Sequence, residues 1–342
     1  MNPADIPLTL GPEDDEAADP AWEGEADAAA PLRELAVPAD LDQQRLDKAL
    51  VLLVPEFSRS YLQQLMAQGA VSLQGRPALK PAQKVRAGER ITVQMRPTLQ
   101  SQAFRPEDLP LDVVYEDEHL LVVNKPAGLV VHPAPGHWSG TLLNALLGRD
   151  ARAAQVPRAG IVHRLDKDTS GLMVAARSRS AMDALVQMIA ARQVSRQYLA
   201  LAWGGWSGPV QRSVDAPMGR DPRNRLRMAV VDLAQHAGKP ARTDFDCLAS
   251  NDQVSLLRCT LHTGRTHQIR VHAAWLRHPL LADALYGGAQ AAGLQRQALH
   301  ARRLAFTHPV SGQALEFLAP LPPDMRQALE VVGLHYNHPF VA

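Results

Sequence analysis

The stretch Gly160-Ile161-Val162-His163-Arg164-Leu165-Asp166-Lys167-Asp168-Thr169-Ser170-Gly171-Leu172-Met173-Val174-Ala175-Ala176 divides into two halves. The first is a turn dense in polar groups. The second is an apolar strand that follows the turn directly. Taken alone, Asp166 or Asp168 reads as a turn residue bonding nearby backbone amides, the commonest role of a loop aspartate.

Three more stretches flank this one. Upstream, His119-Leu-Leu-Val-Val-Asn-Lys125-Pro126-Ala-Gly128-Leu-Val-Val-His132-Pro133 reads as a buried strand running into a loop stiffened by proline and loosened by glycine. By itself it is a strand end with a surface lysine. Downstream, Val194-Ser-Arg196-Gln197-Tyr198-Leu199-Ala200-Leu201-Ala202-Trp203-Gly204 is strand-like, with Tyr198 pointing away from the face of Leu199 and Leu201. In isolation that tyrosine is a core residue with a satisfied hydroxyl. The fourth stretch is Leu261-His262-Thr263-Gly264-Arg265-Thr266-His267-Gln268-Ile269-Arg270-Val271-His272. It predicts a helix capped by Thr266, with Ile269, Ala273 and Leu276 as its apolar stripe, ending near His278-Pro279. His262, His267 and His272 lack paired cysteines or an established metal spacing, so no metal is expected.

Ahead of these stretches, residues 41–96 form a compact module. Leu46, Ala49, Leu50 and Leu53 recur at helical spacing until Pro55, and a second helix carries Leu62, Leu65 and Met66 to Gly69. Ser58 or Ser60 is placed to cap that second helix. Val71–Leu73 alternates as a strand, Gln74-Gly75-Arg76-Pro77 reads as a turn, and Ile91-Thr92-Val93 is a last strand. Over residues 41–95, eight bases (Arg45, Lys48, Arg59, Arg76, Lys80, Lys84, Arg86, Arg90) stand against four acids.

The order RLDKAL, SRSYLQQLMAQGAVSLQG, VRAGERITV resembles the S4 RNA-binding domain, whose two helices present a basic face to structured RNA. The four later stretches, taken in order, resemble the RluA-type RNA pseudouridine synthases, and HRLDKDTSGL resembles the signature around that family's catalytic aspartate. HPLLADALYGG (278–288) and QALHARRLAFTHPVSG (297–312) extend the resemblance, with Ala282 standing where the family usually has glycine. An S4-like module before this domain is similar to the RluD branch, which acts on large-subunit (23S) ribosomal RNA.

The resemblance implies an α+β pseudouridine synthase fold with a central mixed, largely antiparallel sheet. It implies Asp166 as the catalytic aspartate, Tyr198 as the active-site tyrosine and Arg270 as the arginine paired with Asp166. It implies that Arg164 enters the RNA stack when the target base leaves. Arg45, Lys48, Arg59, Lys125 and Arg265 are the other bases assigned to RNA. Pseudouridine and uridine contain the same atoms, so no cofactor is expected. The alternatives are transfer RNA as substrate, or an RNA-binding ribosome assembly factor whose catalysis is secondary.

Composition agrees with this reading. The chain of 342 residues is 46% hydrophobic, enough for a large core, and has no apolar run long enough for a bilayer. No signal peptide is apparent, and Cys247 and Cys259 form no disulfide framework or CxxC pattern, so a reduced cytoplasm is expected. No Walker or GxGxxG loop is present. Residues 1–40 hold eleven acids and one base, Arg33, leaving 35 bases against 24 acids beyond them. That basic body attracts polyanions. The expected layout is an acidic disordered tail (1–40), an S4-like domain (41–96), a proline-punctuated linker (97–110) and a catalytic domain (111–342). The expected partner is ribosomal RNA or a large-subunit precursor; no membrane is expected, and nothing requires more than a monomer.

Overall fold

A computed structural model describes residues 32–336 apart from 56, 58, 95–102 and 135. The acidic stretch 1–31, the candidate cap Ser58 and residues 97–102 of the linker therefore lie outside the described residues. Within them the chain forms two compact units, meeting in sequence near residue 103.

The first unit runs β1 (Leu32–Ala36), α1 (Leu46–Leu53), α2 (Arg59–Ala67), β2 (Val71–Leu73), β3 (Arg76–Pro77) and β4 (Arg90–Gln94). Its sheet order is β1-β4-β2-β3. Leu46, Leu50, Leu62, Leu65 and Met66 of the two helices pack on Val71, Ile91 and Val93 of the sheet. Gln74 and Gly75 both have positive φ, 51° and 73°, which suits the tight turn joining β2 to β3. The composition predicts an unstructured segment through residue 40, yet Leu32–Ala36 pairs antiparallel with all of β4, which corrects that expectation. Leu32 and Leu35 stand three residues apart there, so the acidic segment shows no two-residue period to mark a strand.

The second unit contains β5 (Val113–Glu116), β6 (Leu120–Lys125), α3 (Leu142–Arg149), β7 (Ser170–Ala176), α4 (Arg179–Ala190) and β8 (Ser195–Trp203). It continues with β9 (Gln211–Asp215), β10 (Met218–Asp221), β11 (Asn224–Val230), β12 (Arg242–Ser250) and β13 (Val254–Leu261). α5 (Gln268–Trp275), β14 (Leu299–Thr307), β15 (Ala314–Leu318) and α6 (Pro323–Val331) complete it. The main sheet has order β5-β6-β7-β14-β8-β13-β12-β9, with β15 on β14. Only β7 and β14 run parallel, so the sheet is mixed and largely antiparallel, as expected.

Every residue of β7 is buried. Met173 and Ala175 join Leu121, Val123, Tyr198 and Ala200 on one face, while Leu172 and Val174 join Leu120 and Val122 on the other. Strands covered on both faces have no polar side, which is why Leu120–Val123 of β6 and Leu172–Ala176 of β7 read as continuous apolar runs. α3 begins with a reciprocal cap between Thr141 and Asn144, and α4 begins at Ser178, whose hydroxyl accepts from the Ala181 amide.

The chain enters the signature loop through a left-handed turn: Arg158, Ala159 and Gly160 have φ of 53°, 52° and 78°. A side chain at Gly160 is excluded twice over, because a Cβ there would lie 1.8 Å from the Ala176 carbonyl oxygen. Ala282, where the resembled family has glycine, also has a positive φ of 58°. A Cβ in that region costs roughly 1–2 kcal/mol. Ala282→Gly should therefore raise stability by about 1 kcal/mol, read as a shift in the urea midpoint at constant slope.

Candidate active site

Asp166 sits on the loop between Ile161 and the start of β7, and that loop is tied down along its length. Ile161 bridges to Ala175 of β7. Further along, the Val174 amide donates to His163 Nε2 at 3.1 Å, and the Thr169 amide donates to the Asp166 carbonyl. Burial, helped by the charge of Arg196, pushes His163 down to about 3, so it serves as a neutral acceptor. The Gly128 amide donates to the Lys167 carbonyl, which joins the upstream loop to the signature loop.

Lys125 makes the same junction from inside. It is 1% exposed, and its Nζ donates to the carbonyls of Pro126, Leu129 and Lys167, each at 2.9 Å. This corrects its assignment as an RNA contact: an enclosed ammonium with three internal acceptors is not available to a phosphate. Burial pushes Lys125 down to about 7, against the charges of Asp166 and Asp168. Three carbonyls are all satisfied only by the ammonium form. A lysine at a strand end gives no sequence signal that three carbonyls converge on it.

Arg270, from the first turns of α5, reaches Asp166 as the resemblance implied. Its Nη1 donates to Asp166 Oδ2 at 3.1 Å. The rest of its fork is taken by Asp283, which no sequence motif marks as its partner. Nε and Nη2 donate to the two carboxylate oxygens of Asp283 at 2.8 and 2.9 Å. Asp283 is 1% exposed, so one buried guanidinium lies between two carboxylates. Burial works against the Arg270 charge, but Asp283 and Asp166 outweigh it and raise its pKa further.

The Tyr286 ring lies 5.0 Å from the Arg270 guanidinium carbon. Its hydroxyl accepts from the Met228 amide at 3.0 Å and bonds His267 Nδ1 at 2.8 Å, and His267 Nε2 is 4.0 Å from Asp166 Oδ1. Burial favours protonated Asp166, yet the charges of His267 and Arg270 and the Arg270 hydrogen bond win. They hold its carboxyl below the usual range. Asp166 is thus an ionised carboxylate at neutral pH, with cationic groups beside it.

Tyr198 lies on β8 opposite Ala301 and Cys259, on the face shared with Leu165 and Ile269. Burial pushes its hydroxyl up to about 12, so it is a phenol at neutral pH and a poor base. Leu165 and Ile269, next in the chain to Asp166 and Arg270, share that core cluster with Tyr198, and the charge of Asp166 also raises its hydroxyl.

The predicted start of α5 needs correction. The helix begins at Gln268, and its cap position is His267, in left-handed conformation with φ 56° and no side-chain cap. Thr266 lies one residue too early. The Gln268 side chain organises the turn instead. Its Oε1 accepts from the Thr263 hydroxyl and the Arg265 amide, and its Nε2 donates to the Arg242 carbonyl.

Arg164 is exposed on the signature loop, whereas Arg265 is partly buried with its Nε on the Pro240 carbonyl. In the first unit Lys48 is exposed. Arg45 and Arg59 are half-exposed, and both bond the fully buried Asp47, which also accepts from Gln63. The Arg45 hydrogen bond leads in holding Asp47 far below the carboxylate range. Asp47 fixes two basic side chains that sequence alone presents as independent.

A family model described as RNA pseudouridylate synthase matches residues 119–275, and the S4 domain model matches residues 44–91. A protein of Neisseria meningitidis serogroup B named ribosomal large subunit pseudouridine synthase D is 48% identical over 88% of this chain and 82% of its own. One of the same name from Escherichia coli O6:H1 is 43% identical over 86% of this chain and 92% of its own. Among solved structures, human RNA pseudouridylate synthase domain containing 1 is 27% identical with a TM-score of 0.52. It covers 68% of this chain and 90% of its own.

Proposed function

This chain is a member of the RNA pseudouridylate synthase family, an isomerase, and on that footing we propose that it acts on uridines of large-subunit ribosomal RNA with Asp166 as its catalytic carboxylate. The observation that carries the residue assignment is the Asp166–Arg270 pair, backed by Asp283, which keeps a carboxylate ionised in a partly dry pocket. The reaction breaks the bond from uracil N1 to the anomeric carbon, turns the base, and joins C5 to that same carbon. The C5 hydrogen leaves as a proton and N1 ends as N–H, so atoms balance with no external donor. A carboxylate beside the anomeric carbon meets the positive charge that develops there, by attack or by electrostatic stabilisation. Arg270 orients that carboxylate. Tyr198, a phenol backed by the core, supplies a flat wall against which the base turns.

The target uridine must leave its stack, at a cost of a few kcal/mol. Arg164, exposed two residues before Asp166, is suited to fill the space, since a guanidinium stacks on bases. Arg45, Lys48 and Arg59 give the first unit a basic surface for structured RNA. Among the described residues no helix is long and apolar enough to cross a membrane, and the work proposed belongs to the cytoplasm. The substrate assignment is tested by incubating the protein with large-subunit RNA, assembled particles and transfer RNA, then mapping pseudouridine. Product in large-subunit RNA is expected. Product confined to transfer RNA would overturn the substrate, and none on any RNA would favour an assembly role.

A further inference from the structure

Arg196 precedes Tyr198 by two residues on β8 and is 7% exposed. A guanidinium at that depth needs acceptors, because an unpaired buried charge is costly. Of the three arginines buried among the described residues, the other two have them: Arg270 holds Asp283 and Asp166, and Arg302 donates to the Ala319 carbonyl. Arg196 has no hydrogen bond and no acidic partner among the described residues, and its Nε is fully enclosed with nothing to donate to. Its end lies against backbone of the turn before α5, where a methyl on Gly264 would come within 2.9 Å of Nη1. Its charge reaches both His163 on the signature loop and the Tyr198 hydroxyl.

We propose that Arg196 is an anion seat for one phosphate of the RNA, that of the phosphodiester next to the reacting uridine; this rests on the reading of the chain as an enzyme acting on RNA. A phosphate fits better than a base carbonyl, since only an anion cancels the buried charge and accepts two parallel N–H bonds from the fork. The segments beside it carry further positive charge: Arg164 follows His163 in the chain and Arg265 follows Gly264. A nucleotide that swings out of its stack carries its phosphates with it, and the seat lies within electrostatic reach of Tyr198. The unpaired charge destabilises the free protein, and that strain is released only when RNA is bound.

The test measures affinity for a large-subunit RNA transcript between about 50 and 200 mM salt for wild type, Arg196→Gln and Arg196→Lys. Thermal unfolding of the free proteins is followed alongside. Arg196→Gln should bind roughly tenfold more weakly. Its log–log salt slope should be shallower by about 0.7, the share of one single-strand phosphate. Arg196→Lys should recover most of the slope. Free Arg196→Gln should melt at or above the wild-type temperature, the opposite of what a structural arginine gives. Gly264→Ala, which pushes the guanidinium aside, should weaken RNA binding in wild type but add little to Arg196→Gln. An unchanged salt slope, or a lower melting temperature with wild-type affinity, would overturn the anion seat. Absence of wild-type binding to the transcript would overturn the RNA reading beneath it.

Discussion

Replacing Asp283 with alanine should destabilise the free protein by about 3–5 kcal/mol, the usual cost of removing one partner from a buried ion pair. Arg270 is buried and directs two of its three hydrogen bonds at Asp283. Without that carboxylate its Nε and Nη2 are left in a site closed to water. The remaining bond to Asp166 comes from Nη1 alone, and a guanidinium held at one corner turns. Misplacement of about 1 Å at a reacting group can cost about 100-fold in rate, so turnover should fall by that order in whatever fraction stays folded. Asp283→Asn keeps the shape and one acceptor and should fall between. Urea unfolding at constant slope, with single-turnover rates at a temperature where both proteins are folded, checks both effects. Wild-type stability in Asp283→Ala would show that Arg270 finds other partners.

For Asp166→Asn the pattern should reverse. The amide oxygen can still accept from Arg270 Nη1, and Arg270 keeps both bonds to Asp283, so stability should change by no more than about 1 kcal/mol. Turnover should fall by roughly 10⁴-fold or more, the scale seen when a group central to covalent or charge stabilisation is lost. The direction of the wild-type pKa adds a pH test. With Asp166 held below the ordinary value of about 3.9, its ionised form persists across the neutral and mildly acidic range. The rate should therefore show no loss from this group above about pH 4. Stability follows the same sign: the contribution is present above the unfolded value and is lost as pH falls through the folded one.

Local pattern carried much of this fold. The apolar spacing of Leu46, Leu50 and Leu53 gave α1, and the alternation at Val71–Leu73 gave β2. The unbroken apolar runs of β6 and β7 marked strands covered on both faces. β1 is hidden because its pairing with β4 is made far along the chain and its own residues show no two-residue alternation. The start of α5 was read as Thr266 because threonine is a common cap, while the side chain that closes that turn, Gln268, acts from inside the helix.

At the site, Asp166, Tyr198 and Arg270 were legible through resemblance; each alone read as an ordinary turn or core residue. Asp283 lies within 278–288, yet an aspartate between alanines reads as a turn until the fold brings it to Arg270. Lys125 misled for a related reason. Charge is visible in sequence, whereas the carbonyls that surround a charge come from tertiary structure.

The most direct measurement is a single-turnover assay on large-subunit ribosomal RNA, comparing wild type with Asp166→Asn and mapping pseudouridine at nucleotide resolution. The account predicts pseudouridine at defined positions with wild type and none above background with the variant, whose unfolding midpoint stays near that of wild type. Pseudouridine at the same positions and at a comparable rate with Asp166→Asn would contradict it.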